Sequence, residues 1–234
     1  MTVAEVVAEL KKLGTAQTKK TWMTHGAQEP CLGVKVEDMK KIQKRVKMDY
    51  ALALELYDTG IADAMYLAGL IADDARMTKK DLQKWVENAT WGMVAEYTVP
   101  WVAAASPHGR EMALKWIDSK DEAIASAGWG TYSSLVATKE DADLDLAEIK
   151  SLLQRVAKSI HQQPNRVKYA MNGFVIAVGG WMKPLNKIAI ATAKDIGPVA
   201  VELVGACKIP FAPDQIKKME ARGTLGKKRK SPKC

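Results

Sequence analysis

Leu146-Ala147-Glu148-Ile149-Lys150-Ser151-Leu152-Leu153-Gln154-Arg155-Val156-Ala157-Lys158-Ser159-Ile160 carries the clearest helical spacing in the chain. Leu146, Ile149, Leu152, Leu153, Val156 and Ile160 recur at the 3.6-residue period, so a helix gathers them into one apolar stripe. Ile61, Ala64, Met65, Ala68, Ile71 and Ala72 follow the same rule, and each of the two helices is expected to bury one face.

Working outward, helix-start signals recur. Thr2-x-x-Glu5, Thr78-x-x-Asp81 and Ser119-x-x-Glu122 each set a hydroxyl three residues ahead of a carboxylate, able to satisfy orphan amide donors. Ser106-Pro107 offers a cap followed by proline at the first helical position. No sustained two-residue alternation is bounded by hairpin turns, and the best strand candidate, residues 199–204, is short and has no partner. The chain therefore reads as all-α, with helices near residues 2–13, 16–25, 37–48, 50–58, 60–74, 79–89, 92–104, 107–117, 120–137, 145–161, 165–181, 184–194 and 214–222. So many helices joined by short connections resemble a HEAT-like helical-repeat solenoid, an α-α superhelix in which each pair buries its apolar face on its neighbours and a concave basic face results. Trp91-Gly92 recurs as Trp129-Gly130, near the roughly 40-residue period of such repeats. The expected organisation is a single helical-repeat domain over 1–213, followed by a C-terminal helix and basic tail over 214–234.

With 234 residues and 47% apolar side chains, the chain has enough material for a core without staples. The three cysteines, Cys31, Cys207 and Cys234, are scattered and form no C-x-x-C pair, which supports neither a disulfide framework nor a zinc knuckle. His25 and His108 have no partner at ligand spacing, and no phosphate-loop, dinucleotide or nucleophile-elbow pattern occurs. No cofactor and no metal are expected. The N-terminus lacks the regions of a signal peptide, and no apolar run approaches a membrane span. A monomer in the cytoplasm, associated with the nucleoid and not with membrane, is the expectation.

The net charge of +8 is unevenly spread. Residues 1–50 carry +4, residues 51–150 carry −8, residues 151–213 carry +6 and residues 214–234 carry +6. Both ends are basic and the middle is acidic, a pattern suited to arms that grip phosphates while the middle makes a few specific contacts. The tail Gly226-Lys227-Lys228-Arg229-Lys230 reads equally as such an arm or as a solvated extension.

Four segments carry a family resemblance. Cys31-Leu32-Gly33-Val34-Lys35-Val36 leads into the basic helix Glu37-Asp38-Met39-Lys40-Lys41-Ile42-Gln43-Lys44-Arg45. Asn88-Ala89-Thr90-Trp91-Gly92-Met93-Val94-Ala95-Glu96-Tyr97-Thr98-Val99-Pro100 sets a carboxylate after a tryptophan and ahead of a proline. Leu114-Lys115-Trp116-Ile117-Asp118-Ser119 ends a helix, and Asn165-Arg166-Val167-Lys168-Tyr169-Ala170-Met171-Asn172-Gly173-Phe174 begins a late one. Together, over roughly residues 30–185, these resemble the DNA alkylation repair family, the HEAT-like-repeat alkylpurine DNA glycosylases, with this chain a divergent subgroup.

The resemblance implies hydrolysis of the N-glycosidic bond of an N3- or N7-alkylated purine in double-stranded DNA. The lesion's own charge makes the base a good leaving group. One carboxylate near C1′ then suffices to stabilise the oxocarbenium-like sugar, while aromatic faces hold the cationic base. On this chain the carboxylate falls on Glu96, the lesion- and sugar-contacting aromatics on Trp91 and Phe174, and the backbone contacts on Arg166, Lys168, Lys40, Lys41, Lys44, Arg45, Lys227, Lys228, Arg229 and Lys230. Three departures stand out. The family's inner aromatic falls on Gly92, four residues before Glu96 and so beneath it on a helix, leaving Trp91 about 140° away unless it swings into the gap. Phe174 replaces an indole, and the phosphate-gripping arginine falls near Ser126.

Read without the resemblance, Glu96 in an apolar segment must be paired, protonated or facing a cleft. Trp22, Trp85, Trp101 and Trp116 are expected in the core. Trp91, Trp129 and Trp181, each beside glycine, remain open between packing and ligand contact. Arg166 and Lys168, with His161, Gln162, Gln163 and Asn165, form a polar group suited to phosphate or simply a solvated helix end. Three functions stay in competition: the glycosylase, a non-catalytic binder of damaged or branched DNA, and a helical-repeat protein adaptor.

Overall fold

Threonine or aspartate side chains cap six of the thirteen described α-helices, and the sequence pattern anticipates two of them, Thr2 and Thr78. In the computed structural model, which describes residues 1–202 and 209–233, Thr2 and Thr78 each close a complete capping box, with Glu5 and Asp81 reaching back to the cap amide. These open α1 (Val3–Leu13) and α6 (Lys79–Glu87). Between them lie α2 (Ala16–Thr24), α3 (Val36–Val46), α4 (Tyr50–Asp58) and α5 (Ala62–Ile71). Then follow α7 (Val99–Ala105), α8 (Gly109–Ile117), α9 (Glu122–Thr138), α10 (Leu146–Ser159), α11 (Asn165–Trp181), α12 (Asn186–Ile196) and α13 (Ala212–Ala221). No strand occurs among the described residues, so the all-α reading holds. Residues 199–202 form none, and the remainder of that strand candidate lies outside the described residues, as do Cys207 and Cys234.

Two of the expected caps are corrected. Asp121, not Ser119, caps α9, its carboxylate accepting from Ile124 N, while Ser119 Oγ accepts from Asp121 N. A carboxylate is the stronger acceptor at a positive helix end. Ser106 terminates α7, its Oγ donating to Ala103 O at 2.7 Å; the same oxygen accepts from His108 N at 3.2 Å, but α8 begins only at Gly109 and not at Pro107.

The chain's contacts gather into two compact units, one of Met1–His108 with Lys233 and one of Gly109–Pro232. At the heart of the first is α5. Every residue from Ala62 to Ile71 is buried, so this helix is enclosed all round and has no solvent face. Small residues allow this: a Cβ on Gly69 would lie 2.2 Å from Thr98 Cγ2, a separation only glycine permits. Tyr57 on α4 stacks on Trp85 of α6, ring centroids 4.2 Å apart, and donates its hydroxyl to Trp85 O. Lys233 joins this unit, its Nζ 2.9 Å from Asp74 Oδ1 and donating to Ala72 O.

In the second unit α9 and α11 pack along each other, with α8, α10, α12 and α13 around them. The amphipathic stripe of α10 behaves as its spacing demands: Ile149, Leu152, Leu153 and Val156 are buried with Trp129, Phe174 and Val178 in one core. The C-terminal helix α13 belongs here, against α11 and α12.

Residues 92–104 do not form one α-helix. Val94–Thr98 is a π turn, closed by Val99 N donating to Val94 O, and α7 follows. Pro100 has no N–H to give to the carbonyl of Glu96, and the wider turn ahead of it removes the need for that bond.

Candidate nucleic-acid interface

Trp91, Gly92 and Glu96 belong to the first unit. Trp91 is 4% exposed and leans on the ring of Trp22, centroids 4.6 Å apart, with Nε1 donating to His25 O at 3.1 Å. It is thus anchored toward α2 and does not swing into the space above Gly92. Trp22 is only half-buried, while Trp85, Trp101 and Trp116 are core residues. Glu96, on the π turn, is half-buried and lies over Gly92: a Cβ on that glycine would sit 3.7 Å from Glu96 Oε1, with no other neighbour within 4 Å. Beside it Tyr97 is 37% exposed, its ring 6.2 Å from Trp101, which meets Tyr66 edge-on at 5.8 Å. Spacing alone did not single out Tyr97.

Phe174, Arg166 and Lys168 all ride on α11 in the second unit, where their fates differ. Phe174 is fully buried, its ring 5.2 Å from Trp129 and edge-on to Tyr132 at 5.7 Å. Tyr132 donates its hydroxyl to Glu148, which Arg110 clamps through Nε at 3.0 Å and Nη2 at 2.7 Å. Burial, and then the Glu148 acceptor, push the Tyr132 phenol far above its usual range, so it stays protonated. A phenyl ring enclosed in this way offers no face to a ligand, which corrects the expectation of lesion contact. Ser126, where the family pattern would set an arginine, is fully buried.

At the start of α11 the main-chain N–H of Arg166 is taken by Glu122 Oε1 at 2.5 Å. This helix end is therefore already compensated by a carboxylate, and phosphate contact there falls to side chains. The Arg166 guanidinium lies 4.7 Å over the Tyr169 ring, and Lys168 is half-buried nearby. Asn165 exchanges two hydrogen bonds with the Glu202 backbone, and a His161 ring nitrogen lies 2.9 Å from Ile196 O.

On α3, Lys41 is held by Asp38 at 2.7 Å and Arg45 by Glu9; each carboxylate raises the pKa of its cation. Lys44 is exposed and Lys40 half-buried. In the tail, Lys227, Arg229 and Lys230 are exposed. Lys228 is not: its side chain is 9% exposed and its Nζ lies 2.7 Å from Asp141 Oδ1. It is spent inside the protein and corrects the expectation that it contacts phosphate.

Sequence reasoning also missed Asp63. Wholly buried in the first turn of α5, its carboxylate accepts from Leu32 N at 2.6 Å and Val34 N at 2.7 Å, fixing the entry to the basic helix α3. The signal was present, an aspartate alone in an apolar run. No group of three or more His, Cys, Asp or Glu side chains suited to a metal ion occurs among the described residues. None of the described helices is long and apolar enough to cross a membrane.

Comparison with known proteins bears on this geometry. The model of a family described as DNA alkylation repair enzyme matches residues 6–199. The chain is 31% identical over 229 residues to the uncharacterized protein Lin0241 of Listeria innocua, covering 95% of this chain and 99% of that one. It is 30% identical over the same length to Lmo0209 of Listeria monocytogenes, with the same coverage. A solved structure, described as a new family of proteins related to the HEAT-like repeat DNA glycosylases with affinity for branched DNA structures, superposes with a TM-score of 0.93. It is 38% identical, and all of both chains is covered.

Proposed function

Because the chain belongs to the DNA alkylation repair enzyme family, we propose that it binds DNA, prefers branched to linear duplex, and does so without excising bases. The observation that carries this reading is the burial of Phe174 among Trp129 and Tyr132. With Gly92 where the resemblance sets the inner aromatic and Ser126 near the place of its arginine, the chain departs from that pattern at the ring that would hold a cationic base and at the guanidinium for the flanking phosphate. The preference for branches follows the related structure, whose family is described as having affinity for them.

Binding on this reading is phosphate contact by the exposed Lys44 on α3 and Lys227, Arg229 and Lys230 in the tail, joined by the half-buried Lys40 on α3 and Arg166 and Lys168 on α11. Each displaces condensed counterions, so affinity falls steeply with salt. Such contacts position DNA without reading its sequence. A branch brings more phosphates close together than a linear duplex does.

One observation favours the catalytic alternative, hydrolysis of the glycosidic bond of N3- or N7-alkylated purines. Glu96 is half-buried on a π turn over the exposed Gly92, a place from which a carboxylate can stabilise a developing sugar cation.

Fluorescence anisotropy with a four-way junction and a linear duplex of equal length, from 50 to 200 mM salt, tests the proposal. The junction is expected to bind at least tenfold more tightly, and Lys40→Ala with Lys44→Ala to lower the salt slope by about 2. Equal affinity for the two DNAs removes the branch preference. Binding to neither at low salt removes the DNA reading and leaves the adaptor.

A further inference from the structure

Lys228, whose side chain is 9% exposed, sits at a helix end. The last four carbonyls of any α-helix have no partner within it, and the end is electronegative. Two of those carbonyls on α9, Val136 O and Ala137 O, are met from far along the chain: Lys228 Nζ donates to the first at 2.8 Å and Arg229 N to the second at 2.8 Å. On α11, Gly180 O accepts from Gly226 N at 3.0 Å. Gly226 is required there. Its φ is +72°, and a Cβ would lie 2.6 Å from the Lys183 side chain. Between these bonds Lys228 turns inward to its ion pair with Asp141, while Lys227, Arg229 and Lys230 stay exposed.

We infer that residues 226–230 form a docked strap that caps the C-terminal ends of α9 and α11, with Lys228 as the positioning residue that holds Lys227, Arg229 and Lys230 ready for phosphate. The capping half stands on the hydrogen bonds alone; the phosphate half rests on the DNA-binding reading above. A basic extension that is free in solution must be ordered when it meets DNA, and each long side chain costs free energy to immobilise. Docking settles the path of the backbone beforehand.

Asp141→Asn separates this from simple electrostatics. Removing an anion from a protein that binds phosphate strengthens binding if charge alone matters. Undocking the strap weakens it.

The test uses the full-length chain and its Lys228→Met and Asp141→Asn variants, at a temperature where all three are folded by circular dichroism. Trypsin cleavage after Lys227, Arg229 and Lys230 is followed by mass spectrometry. The wild type is expected to resist, and both variants to be cut at least tenfold faster. Junction binding is then compared, and Asp141→Asn is expected to bind about tenfold more weakly than wild type despite its lost negative charge. Wild-type cleavage as fast as that of a free peptide of residues 222–234 overturns the strap. Protected variants overturn the role of Lys228. Junction affinity of Asp141→Asn equal to or above that of the wild type overturns the presentation of cations. If the wild type binds no DNA, the DNA-binding reading falls with the phosphate half, while the proteolysis still decides the docking.

Discussion

The segment around Glu96 and the segment around Phe174 match the same family pattern, yet the molecule uses them oppositely. Glu96 stands on a π turn above an unfilled glycine, with a half-exposed tyrosine beside it. Phe174 is walled in by Trp129 and Tyr132, and behind Tyr132 lies the Glu148–Arg110 clamp. The first segment sets an exposed glycine beside a half-buried carboxylate, and the second encloses its ring completely. Residue identity along a chain does not say which face a side chain takes. The volume of its neighbours on the facing helix does.

The contrast breaks most visibly on truncation. Phe174→Ala should cost about 3 to 5 kcal/mol in urea unfolding, because a fully enclosed ring leaves a cavity. A loss under 1 kcal/mol would mean that the ring is not core. Asp63→Ala, at the first unit's own sealed point, strands the buried amides of Leu32 and Val34. It should cost about 2 to 4 kcal/mol.

Cys31 sharpens the comparison from the same neighbourhood. Burial, and then the Asp63 charge, push its thiol up from 9.0 to about 11. Since the folded value lies above the unfolded one, the thiol's contribution is complete below pH 9 and is lost as pH rises from about 9 to about 11. Peptide-resolved iodoacetamide labelling of Cys31 in the native protein should reach half its maximal rate near pH 11. A midpoint near 9 would show an open site.

The smallest effects belong to the open site. Gly92→Ala has room beside Glu96 and should stabilise the protein by up to about 1 kcal/mol. Glu96→Gln should move stability by about 1 kcal/mol or less.

How much of this the sequence carried follows from the range of each interaction. The helices and two capping boxes were legible because they depend on residues three or four apart, as in Thr2 with Glu5 and the stripe of α10. The π turn was not, since Pro100 alone does not reveal how the chain absorbs a missing donor. The enclosure of α5 was misjudged because small residues such as Ala64 and Ala68 suit an exposed face or a crowded interior equally. The Trp91-Gly92 and Trp129-Gly130 echo has no structural counterpart: Trp91 precedes the π turn, whereas Trp129 lies mid-helix in α9. Sequence alone points Phe174 and Lys228 toward ligands because their partners, Trp129 and Asp141, are distant along the chain. Lys40 and Lys44 on α3, by contrast, were visible as a basic helix from the start.

Base release distinguishes a DNA binder from a glycosylase. Duplex DNA carrying N7-methylguanine is incubated with the wild type and with Glu96→Gln, and free base is quantified against a no-protein control. No release above the control is expected from either protein, at concentrations where both bind a junction equally. Release by the wild type that disappears in Glu96→Gln would contradict it and make the open site a catalytic one.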